Sequence, residues 1–401
     1  MTDPRAGPTS DRPLELPIIG IVGAGIMGAG IAQLALEGGH EVVLHDVDEP
    51  ALARGRDRIA DGLARRAAKA LVNEPAGIDE WVSERIGRLR TTEVLEHLGD
   101  EADVVIEAAL ESLELKRTIF RTLDAVAGPA TILATNTSAL SVAAIAAATG
   151  LPERVVGLHF FNPAPLMRLV EVVAPPATDP AIAAAATRLV EGWGRTAVRS
   201  ADSPGFIVNR VNRPFTLRAL RLLEAGAATV HDIDAAIRDA GFPLGPFELM
   251  DLTGIDVTYA ASTAIWEGMG RPDRLRPSPL QEQRIANGSL GRKTGEGFHR
   301  YLDGKRLIAE PAPSIADGLD PEAIRERILL PIVDEAFRAC DEGVATEADI
   351  DQALRLGAAH PIGPFERARE LGGAPGVAVR LTRLAVDDPS LSPSAALANG
   401  G

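Results

Sequence analysis

From residue 18 onward, short apolar runs alternate with stretches that show helical periodicity. Parallel strands need crossover connections, which are usually helices, so this alternation predicts a mainly parallel sheet covered by helices. The predicted strands are 18–22, 41–46, 103–107, 131–135, 155–158, 169–173 and 196–199, with a further strand near Arg88. The clearest predicted helices are 26–37, 113–126 and 179–193.

The connection after the second strand departs from this pattern. About forty residues with helical periodicity separate Asp46 from the strand near Arg88. A single crossover helix with short loops does not need so many residues. The sequence therefore predicts an inserted helical hairpin.

After Ser203-Pro204 the chain is predicted to be helical, and it repeats itself. GAATVHDIDAAIRDAGFPLGPFE begins at Gly226 and matches GVATEADIDQALRLGAAHPIGPFE, which begins at Gly343. The offset is 117 residues before a one-residue insertion and 118 after it. This agreement indicates a duplication.

These patterns predict an α/β Rossmann-type domain, with a mainly parallel sheet and an inserted helical hairpin, followed by two tandem all-α domains. We expect a disordered tail (1–17), the Rossmann-like domain (18–203), the first helical copy (204–300), a linker (301–320), the second helical copy (321–386) and a disordered tail (387–401).

Charge and composition exclude several classes of protein. The net charge of −15 argues against a nucleic-acid partner, because no broad basic surface is available to neutralise phosphates. The single cysteine, Cys340, excludes an intramolecular disulfide and a cysteine metal cluster. No apolar stretch reaches the roughly 18 residues that span a bilayer, and the polar first sixteen residues are not a secretion signal. We therefore expect a soluble, cytoplasmic protein without a bound metal.

A glycine-rich turn follows the first strand. Gly23, Gly25 and Gly28 form a G-x-G-x-x-G pattern with Ile26 and Met27, and a helix begins there. Such a turn lets a pyrophosphate approach backbone amides at a helix N-terminus. Asp46, eighteen residues after Gly28, ends the second strand, where an acidic residue binds ribose hydroxyls and repels a 2′-phosphate. This favours NAD over NADP, although the glycine motif alone leaves a flavin open.

Five further segments carry side chains suited to catalysis. They are EAALE (107–111), NTS (136–138), HFFNP (159–163), LVE (169–171) and SPGFIVNR (203–210). In this order, with GAGIMGAGIAQ before them and GRKTGEGF (291–298) after them, they resemble the L-3-hydroxyacyl-CoA dehydrogenase family. The resemblance runs from about residue 18 to 301, and the tandem copy resembles longer members that act on 3-hydroxybutyryl- or 3-hydroxyadipyl-CoA.

Chemical reasoning and the resemblance assign the same catalytic roles. His159 is the expected base for the substrate hydroxyl, because histidine changes charge near neutral pH. Glu171 is expected to orient the imidazole, and Ser138 and Asn209 to hydrogen-bond the hydroxyl and thioester oxygens. Asn162 is a further expected substrate contact. The resemblance also implies that Glu111, Lys116, Asn136 and Lys293 line the cofactor site.

The inserted hairpin is the expected binding site for coenzyme A. Between residues 50 and 72 two acidic residues, Asp57 and Asp61, are outnumbered by six basic ones: Arg54, Arg56, Arg58, Arg65, Arg66 and Lys69. In so acidic a chain this local excess suits phosphates. Lys69 matches the family's hairpin lysine that approaches coenzyme A, whereas Gly62 stands where the family has a serine.

The expected activity is therefore NAD-dependent oxidation of an L-3-hydroxyacyl-CoA to the 3-oxoacyl-CoA, and the reverse. The alternatives are a dehydrogenase of a non-CoA hydroxy acid or of an acyl-carrier-protein-bound substrate, and a catalytically inactive NAD-binding protein. The second helical copy lacks the chemistry, since Glu326 stands at the position that corresponds to Asn209. We expect the two copies to pair as an internal pseudo-dimer, with a further homo-oligomer left open.

Overall fold

The structure is a computed structural model that describes residues 16–72, 77–307, 315 and 318–398. The chain forms two compact units. The first comprises Met1–Ala134, Ala148–Arg154 and Pro163–Pro165, and the second comprises Thr135–Ala147, Val155–Asn162 and Leu166–Gly401. The predicted tail at 1–17 lies almost entirely outside the described residues. None of the described helices is both long and apolar enough to cross a membrane.

The first unit contains the predicted parallel strands in the order β3-β2-β1-β4-β5. The central strand β1 pairs in parallel with β2 and β4, and β2 pairs in parallel with β3. Every residue of β1, β2, β4 and β5 is buried, as expected for strands covered on both faces. The strands are β1 (Ile19–Val22), β2 (Val42–His45), β3 (Leu89–Thr92), β4 (Val104–Glu107) and β5 (Ile132–Thr135). This order is that of a dinucleotide-binding sheet, which confirms the predicted fold class.

The helices of the first unit include the predicted insertion. α2 and α3 follow β2 and pack against each other, so they form the expected hairpin. Asp48 caps α2, because its carboxylate accepts a hydrogen bond from the amide of Ala51. The helices are α1 (Ile26–Glu37), α2 (Glu49–Ala70), α3 (Ile78–Ile86), α4 (Leu95–Glu101) and α5 (Leu113–Val126).

Three strands of the second unit lie side by side, in the order β6-β7-β8. β6 and β7 are antiparallel, whereas β7 and β8 are parallel. All six residues of β6 are buried, as are the first five of β7. The elements are α6 (Val142–Ala146), β6 (Val155–Phe160), β7 (Leu169–Ala174), α7 (Pro180–Gly192) and β8 (Thr196–Ala201).

Apart from one short hairpin, the rest of the described second unit is mainly helical, as predicted. The first copy contains α8 (Val208–Val211), α9 (Arg213–Glu224), α10 (Val230–Asp239), α11 (Pro246–Thr253), α12 (Ile255–Gly268) and α13 (Pro279–Ala286). The second copy contains α14 (Pro321–Asp341), α15 (Glu347–Gly357), α16 (Pro364–Glu370), α17 (Gly373–Leu384) and α18 (Ala395–Ala398).

The two copies share local structure as well as sequence. Asp234 in the first copy accepts a hydrogen bond from the amide of Phe247 at 2.9 Å. Asp351 in the second copy accepts the same bond from the amide of Phe365 at 2.7 Å. Because a buried carboxylate organises the same turn in both places, the structure supports the duplication.

The two copies pack directly on each other. α9 contacts α14, and one continuous hydrophobic core contains buried residues of both copies. Within this contact Arg210 donates to Glu335 at 2.9 Å, and both side chains are almost completely buried. Phe242 and His360 occupy corresponding positions of the two copies, and their rings meet edge to face at 4.8 Å.

One expected segment contains structure that was not predicted, and one expected boundary was wrong. The predicted linker at 301–320 starts with a short antiparallel hairpin, β9 (Tyr301–Leu302) and β10 (Lys305–Arg306), because Asp303-Gly304 forms a tight turn at positive φ. Residues 387–398 of the predicted tail are ordered, since Leu391 and Leu397 are buried in the helical core. Composition indicated disorder there, but two leucines bury enough apolar surface to fix the segment.

Candidate active site

The central feature of the second unit is a buried histidine–glutamate pair. His159 and Glu171 are directly opposed across the antiparallel strands β6 and β7. Nδ1 of His159 lies 2.5 Å from Oε2 of Glu171, and the two residues are 5% and 0% exposed. A carboxylate at this distance accepts a hydrogen bond from Nδ1–H, so Nε2 is left for a reacting group.

Glu171 is itself held by backbone amides. Its Oε1 accepts hydrogen bonds from the amides of Ile207 at 3.1 Å and Val208 at 2.8 Å. These amides point at the carboxylate because Gly205 and Phe206 both adopt positive φ, which turns the chain sharply after Pro204. Phe206 is an uncommon residue in this conformation, and its ring packs 5.7 Å from that of His159.

Three other predicted polar residues of this unit lie on neighbouring segments. The side-chain amide of Asn209 donates to the carbonyl of Ser138 at 3.4 Å, so these two segments meet. Ser138 is exposed and Asn209 is partly exposed, so both are open to a ligand. Asn162 is exposed and lies two residues after the end of the strand that carries His159.

Asn136 has a structural contact that was not predicted. Its side-chain oxygen accepts a hydrogen bond from the amide of Phe160 at 2.8 Å. This bond fixes the end of β6 beside His159. The role in cofactor binding implied by the resemblance stays a prediction.

The glycine turn of the first unit fits a dinucleotide. A Cβ on Gly25 would meet no atom within 4 Å, so the space in front of this residue is open to a ligand. A Cβ on Gly28 would lie 1.8 Å from the carbonyl oxygen of Gly23, so only glycine permits the close passage of helix and turn. Asp46 accepts a hydrogen bond from the amide of Ala24 at 2.9 Å and is thereby held beside the turn. Ile26 is 65% exposed at the start of α1, next to the open space.

The two lysines expected at the cofactor site have carboxylate partners. Lys116 is 1% exposed and pairs with Glu107 at 2.7 Å and with Glu111 at 3.3 Å. It is therefore placed to position Glu111, whose side chain is 40% exposed, rather than to face solvent itself. Lys293, in the second unit, pairs with Asp256 at 2.6 Å.

The basic residues of the inserted hairpin are all exposed along α2. Among them Lys69 lies in the last turn, where a cation is favoured by the helix dipole. Gly62 is buried, and a Cβ there would lie 2.0 Å from the side-chain oxygen of Gln33 on α1. A serine at this position would therefore require the side chain of Gln33 to move.

One group of side chains in the described part of the chain has the spacing of a metal site. Asp234, Glu248 and His299 bring their ligand atoms within 4.8 Å of one another. However, Asp234 is engaged by His299 at 2.7 Å, and Glu248 pairs with Arg238 and Arg306. These contacts already satisfy the carboxylates, so we regard the group as structural.

Sequence reasoning missed the residues that support the catalytic pair. Gly205 and Phe206 form the turn, and the amides of Ile207 and Val208 hold Glu171. The signal was present in the Pro-Gly pair of SPGFIVNR, which indicates a tight turn. The sequence does not show which hydrogen-bond acceptor the backbone amides after this turn contact.

Two family models together match most of the chain. The model described as "3-hydroxyacyl-CoA dehydrogenase, NAD binding domain" matches residues 18–203. The model described as "3-hydroxyacyl-CoA dehydrogenase, C-terminal domain" matches residues 205–301 and again residues 324–395. The second match falls on the second helical copy.

Individual relatives agree with the family models. A 3-hydroxyadipyl-CoA dehydrogenase of Escherichia coli is 34% identical over 90% of this chain and 92% of its own length. The mitochondrial hydroxyacyl-coenzyme A dehydrogenase of Rattus norvegicus is 42% identical over 70% of this chain and 90% of its own length. The crystal structure of 3-hydroxybutyryl-CoA dehydrogenase from Escherichia coli superposes with a TM-score of 0.85 at 32% identity, covering 96% of this chain and 98% of that one.

Proposed function

This chain belongs to the 3-hydroxyacyl-CoA dehydrogenase family and carries its NAD-binding domain, and we propose that it interconverts an L-3-hydroxyacyl-CoA and the corresponding 3-oxoacyl-CoA. In the oxidative direction the substrate hydroxyl loses a proton, and the carbon that bears it loses a hydride. NAD supplies the hydride acceptor when it is bound. The observation that carries the proposal is the buried His159–Glu171 pair, with Nδ1 and Oε2 2.5 Å apart.

His159 is the proposed general base. Because Glu171 engages Nδ1, the ring accepts the hydroxyl proton at Nε2. Glu171 then stabilises the imidazolium, and the two backbone amides on its other oxygen keep the carboxylate in place. In the reductive direction the same imidazolium returns the proton to the carbonyl oxygen.

Substrate orientation is assigned to three polar residues near this pair. We assign the hydrogen bonds to the hydroxyl and thioester oxygens to Ser138, Asn209 and Asn162. The side-chain amide of Asn209 contacts the segment that carries Ser138, which supports a common role. Fixing the reacting oxygen in this way favours the geometry from which proton transfer occurs.

The dinucleotide is assigned to the glycine turn. The open space at Gly25 and the N-terminus of α1 suit a pyrophosphate against Gly23, Ile26, Met27 and Gly28. Asp46 suits the adenosine ribose. Glu111, Asn136 and Lys293 complete the proposed set, with Lys116 acting through Glu111.

Coenzyme A is assigned to the exposed basic side chains of α2, with Lys69 as the first candidate. An exposed cluster of this sign in a chain of net charge −15 attracts a phosphorylated carrier.

We further propose that the two helical copies act as an internal pseudo-dimer. Helices α9 and α14 contact each other, and Arg210 and Glu335 form a buried ion pair between the copies. α15 of the second copy also packs on β7, the strand that carries Glu171, and on α8. The second copy therefore supports the catalytic segment although it has no catalytic residues of its own.

Reduction assays test the proposed activity. The protein should oxidise NADH in the presence of acetoacetyl-CoA and should be far slower with free acetoacetate. Equal rates with the two compounds would favour the alternative of a non-CoA hydroxy acid. A preference for acyl-carrier-protein thioesters would change the carrier, and NADH binding without turnover would indicate an inactive NAD-binding protein.

A further inference from the structure

Four arginines are buried in the described part of the chain: Arg154, Arg210, Arg213 and Arg218. Three of them pair with carboxylates. Arg154 binds Asp124 at 2.7 Å, Arg210 binds Glu335 at 2.9 Å and Glu342 at 2.8 Å, and Arg218 binds Asp388 at 2.5 Å. Arg213, the fourth, has no carboxylate of the described residues within salt-bridge distance.

The guanidinium of Arg213 contacts two neutral groups. Its Nε donates to the backbone carbonyl of Asn209 at 3.2 Å, and its Nη1 lies 3.4 Å from the hydroxyl of Ser262 on α12. Arg213 is only 8% exposed. Burial lowers the pKa of Arg213 to about 10, and no neighbouring carboxylate opposes this effect.

An unpaired buried cation is unfavourable, because it has lost its hydration without gaining a counter-ion. An anionic ligand beside the guanidinium would supply the missing charge through a charge-assisted hydrogen bond. The ligand that completes Arg213 must therefore be an anion.

The position of Arg213 indicates which anion this is. Arg213 is the first residue of α9 and lies four residues after Asn209 of α8. Its Nε reaches the backbone carbonyl of Asn209 at 3.2 Å, so the two residues lie within about one helical turn, or roughly 6 Å, of each other. Asn209 is the residue assigned to the oxygens of the reacting end of the substrate. A group that reaches Arg213 therefore lies a few carbon atoms away from the reacting carbon, along the acyl chain.

We propose that Arg213 binds a carboxylate at the far end of the acyl chain, so that the substrate is the CoA thioester of a 3-hydroxy dicarboxylic acid. This proposal rests on the function proposed above and refines it. The full-length relatives carry two different names, 3-hydroxyadipyl-CoA and 3-hydroxybutyryl-CoA dehydrogenase, so they leave the acyl group open. An unpaired Arg213 favours an acyl chain whose far end is charged over one whose far end is uncharged.

The positive charge of Arg213 also explains how the protein would distinguish the two kinds of substrate. A neutral alkyl end leaves the guanidinium buried and unpaired in the complex, whereas a carboxylate end pairs with it through a charge-assisted hydrogen bond. Arg213 thus acts through substrate selection and not through proton or hydride transfer.

The test compares two substrates of equal length. 3-Oxoadipyl-CoA and 3-oxohexanoyl-CoA both have six acyl carbons and differ in the terminal group. We expect kcat/KM of the unaltered protein with NADH to favour 3-oxoadipyl-CoA by roughly 10- to 100-fold, as for a hydrogen bond to a charged group. Arg213→Gln should bring this ratio close to one, and Arg213→Lys should restore part of it.

The matched control is Arg218→Gln. Arg218 is a buried arginine on the same helix, but it already pairs with Asp388. Its substitution should lower thermal stability and leave the substrate ratio unchanged. If Arg213→Gln lowers kcat/KM for both substrates equally, Arg213 is structural and the proposal is wrong.

A binding measurement separates this proposal from the proposed activity. Adipyl-CoA should raise the melting temperature of the unaltered protein more than hexanoyl-CoA does at equal concentration. If no 3-oxoacyl-CoA is reduced but this difference is present, the activity fails and the carboxylate site stands. If the unaltered protein reduces both substrates equally and the two thioesters stabilise it equally, the carboxylate site is excluded even when no variant can be purified.

Discussion

His159 and Glu171 occupy directly opposed positions of β6 and β7, and this register brings their side chains together. Opposed residues of an antiparallel pair place their side chains on the same face of the sheet. The two residues are twelve positions apart in sequence because the chain leaves β6, turns, and returns along β7 to the position opposite His159. The strand register brings the pair together, and the amides of Ile207 and Val208 hold Glu171 in place.

The first prediction concerns the base. His159→Gln should lower kcat by roughly 10²- to 10⁴-fold, the usual worth of a positioned general base, because glutamine cannot take the hydroxyl proton. NADH binding, measured by fluorescence, should change little. Retention of more than about a third of the activity would show that another group is the base.

Glu171→Gln is the second prediction. The side chain keeps its shape but loses the charge that stabilises the imidazolium, so kcat should fall while the melting temperature changes less than in a cavity-forming variant. Initial rates and thermal melts of the same preparation provide the measurement. Unchanged kcat would mean that Glu171 only packs against the ring.

The third prediction concerns cofactor choice. Asp46 should make kcat/KM with NADH exceed that with NADPH by more than about tenfold, through contacts with the ribose and repulsion of the 2′-phosphate. Asp46→Asn removes the charge but keeps an oxygen that can accept the amide of Ala24, so the turn should stay intact. The variant should discriminate less. Equal use of the two cofactors by the unaltered protein would contradict the assignment.

Much of the fold was predictable because local signals agree with tertiary structure. α1 (Ile26–Glu37) and α5 (Leu113–Val126) have the predicted bounds, since apolar periodicity and flanking turns mark both ends. The order of strands and helices up to β5 follows from alternation alone. The inserted hairpin was visible as an excess of chain between two strands.

Other features depend on contacts that a pattern does not contain. β6 was expected to end at residue 158 but continues to Phe160, so His159 lies inside the strand. Its antiparallel pairing with β7 is decided by register. The amides that hold Glu171 and the missing partner of Arg213 are likewise visible only when distant segments are placed together.

The fourth prediction concerns the second copy. Phe215, Leu217 and Leu220 of the first copy are at most 2% exposed in a core that includes Leu330 and Val333 of the second. Truncation after Tyr301 exposes this apolar surface and removes the partner of Arg210. The shortened protein should dimerise or aggregate, as measured by size-exclusion chromatography with light scattering on both forms. A stable, soluble, truncated monomer would show that the second copy covers nothing important.

The fifth prediction concerns acid stability. Burial lowers the pKa of His360 from 6.5 to about 3, and the positive charge of Arg367 contributes in the same direction. Between these values the unfolded chain binds a proton that the folded chain does not. The free energy of unfolding therefore falls as the pH drops below about 6.5, by up to roughly 1.4 kcal/mol per pH unit, and is insensitive to this group at higher pH.

His360→Phe introduces the residue found at the corresponding position of the first copy, Phe242. The variant cannot take up the proton, so it should lose less stability than the original protein between about pH 7.5 and about pH 5. The expected gain is roughly 2 kcal/mol at the lower pH relative to the higher. Urea unfolding at both values is the measurement. A difference between the two proteins that does not depend on pH would contradict the assignment.

The contact between Phe242 and His360 also bears on how this protein can evolve. In an assembly of two identical chains every interface substitution occurs in both chains. A residue near the symmetry axis therefore contacts the same substituted residue of the other chain. Two facing histidines in such a dry place would both have needed partners. In a tandem chain the two positions are encoded separately, so one can be histidine, with Asn212 at 2.8 Å as its hydrogen-bond partner, while the other is phenylalanine. After the gene duplication, the residues at positions 242 and 360 can therefore change independently, and selection can act on each of them separately.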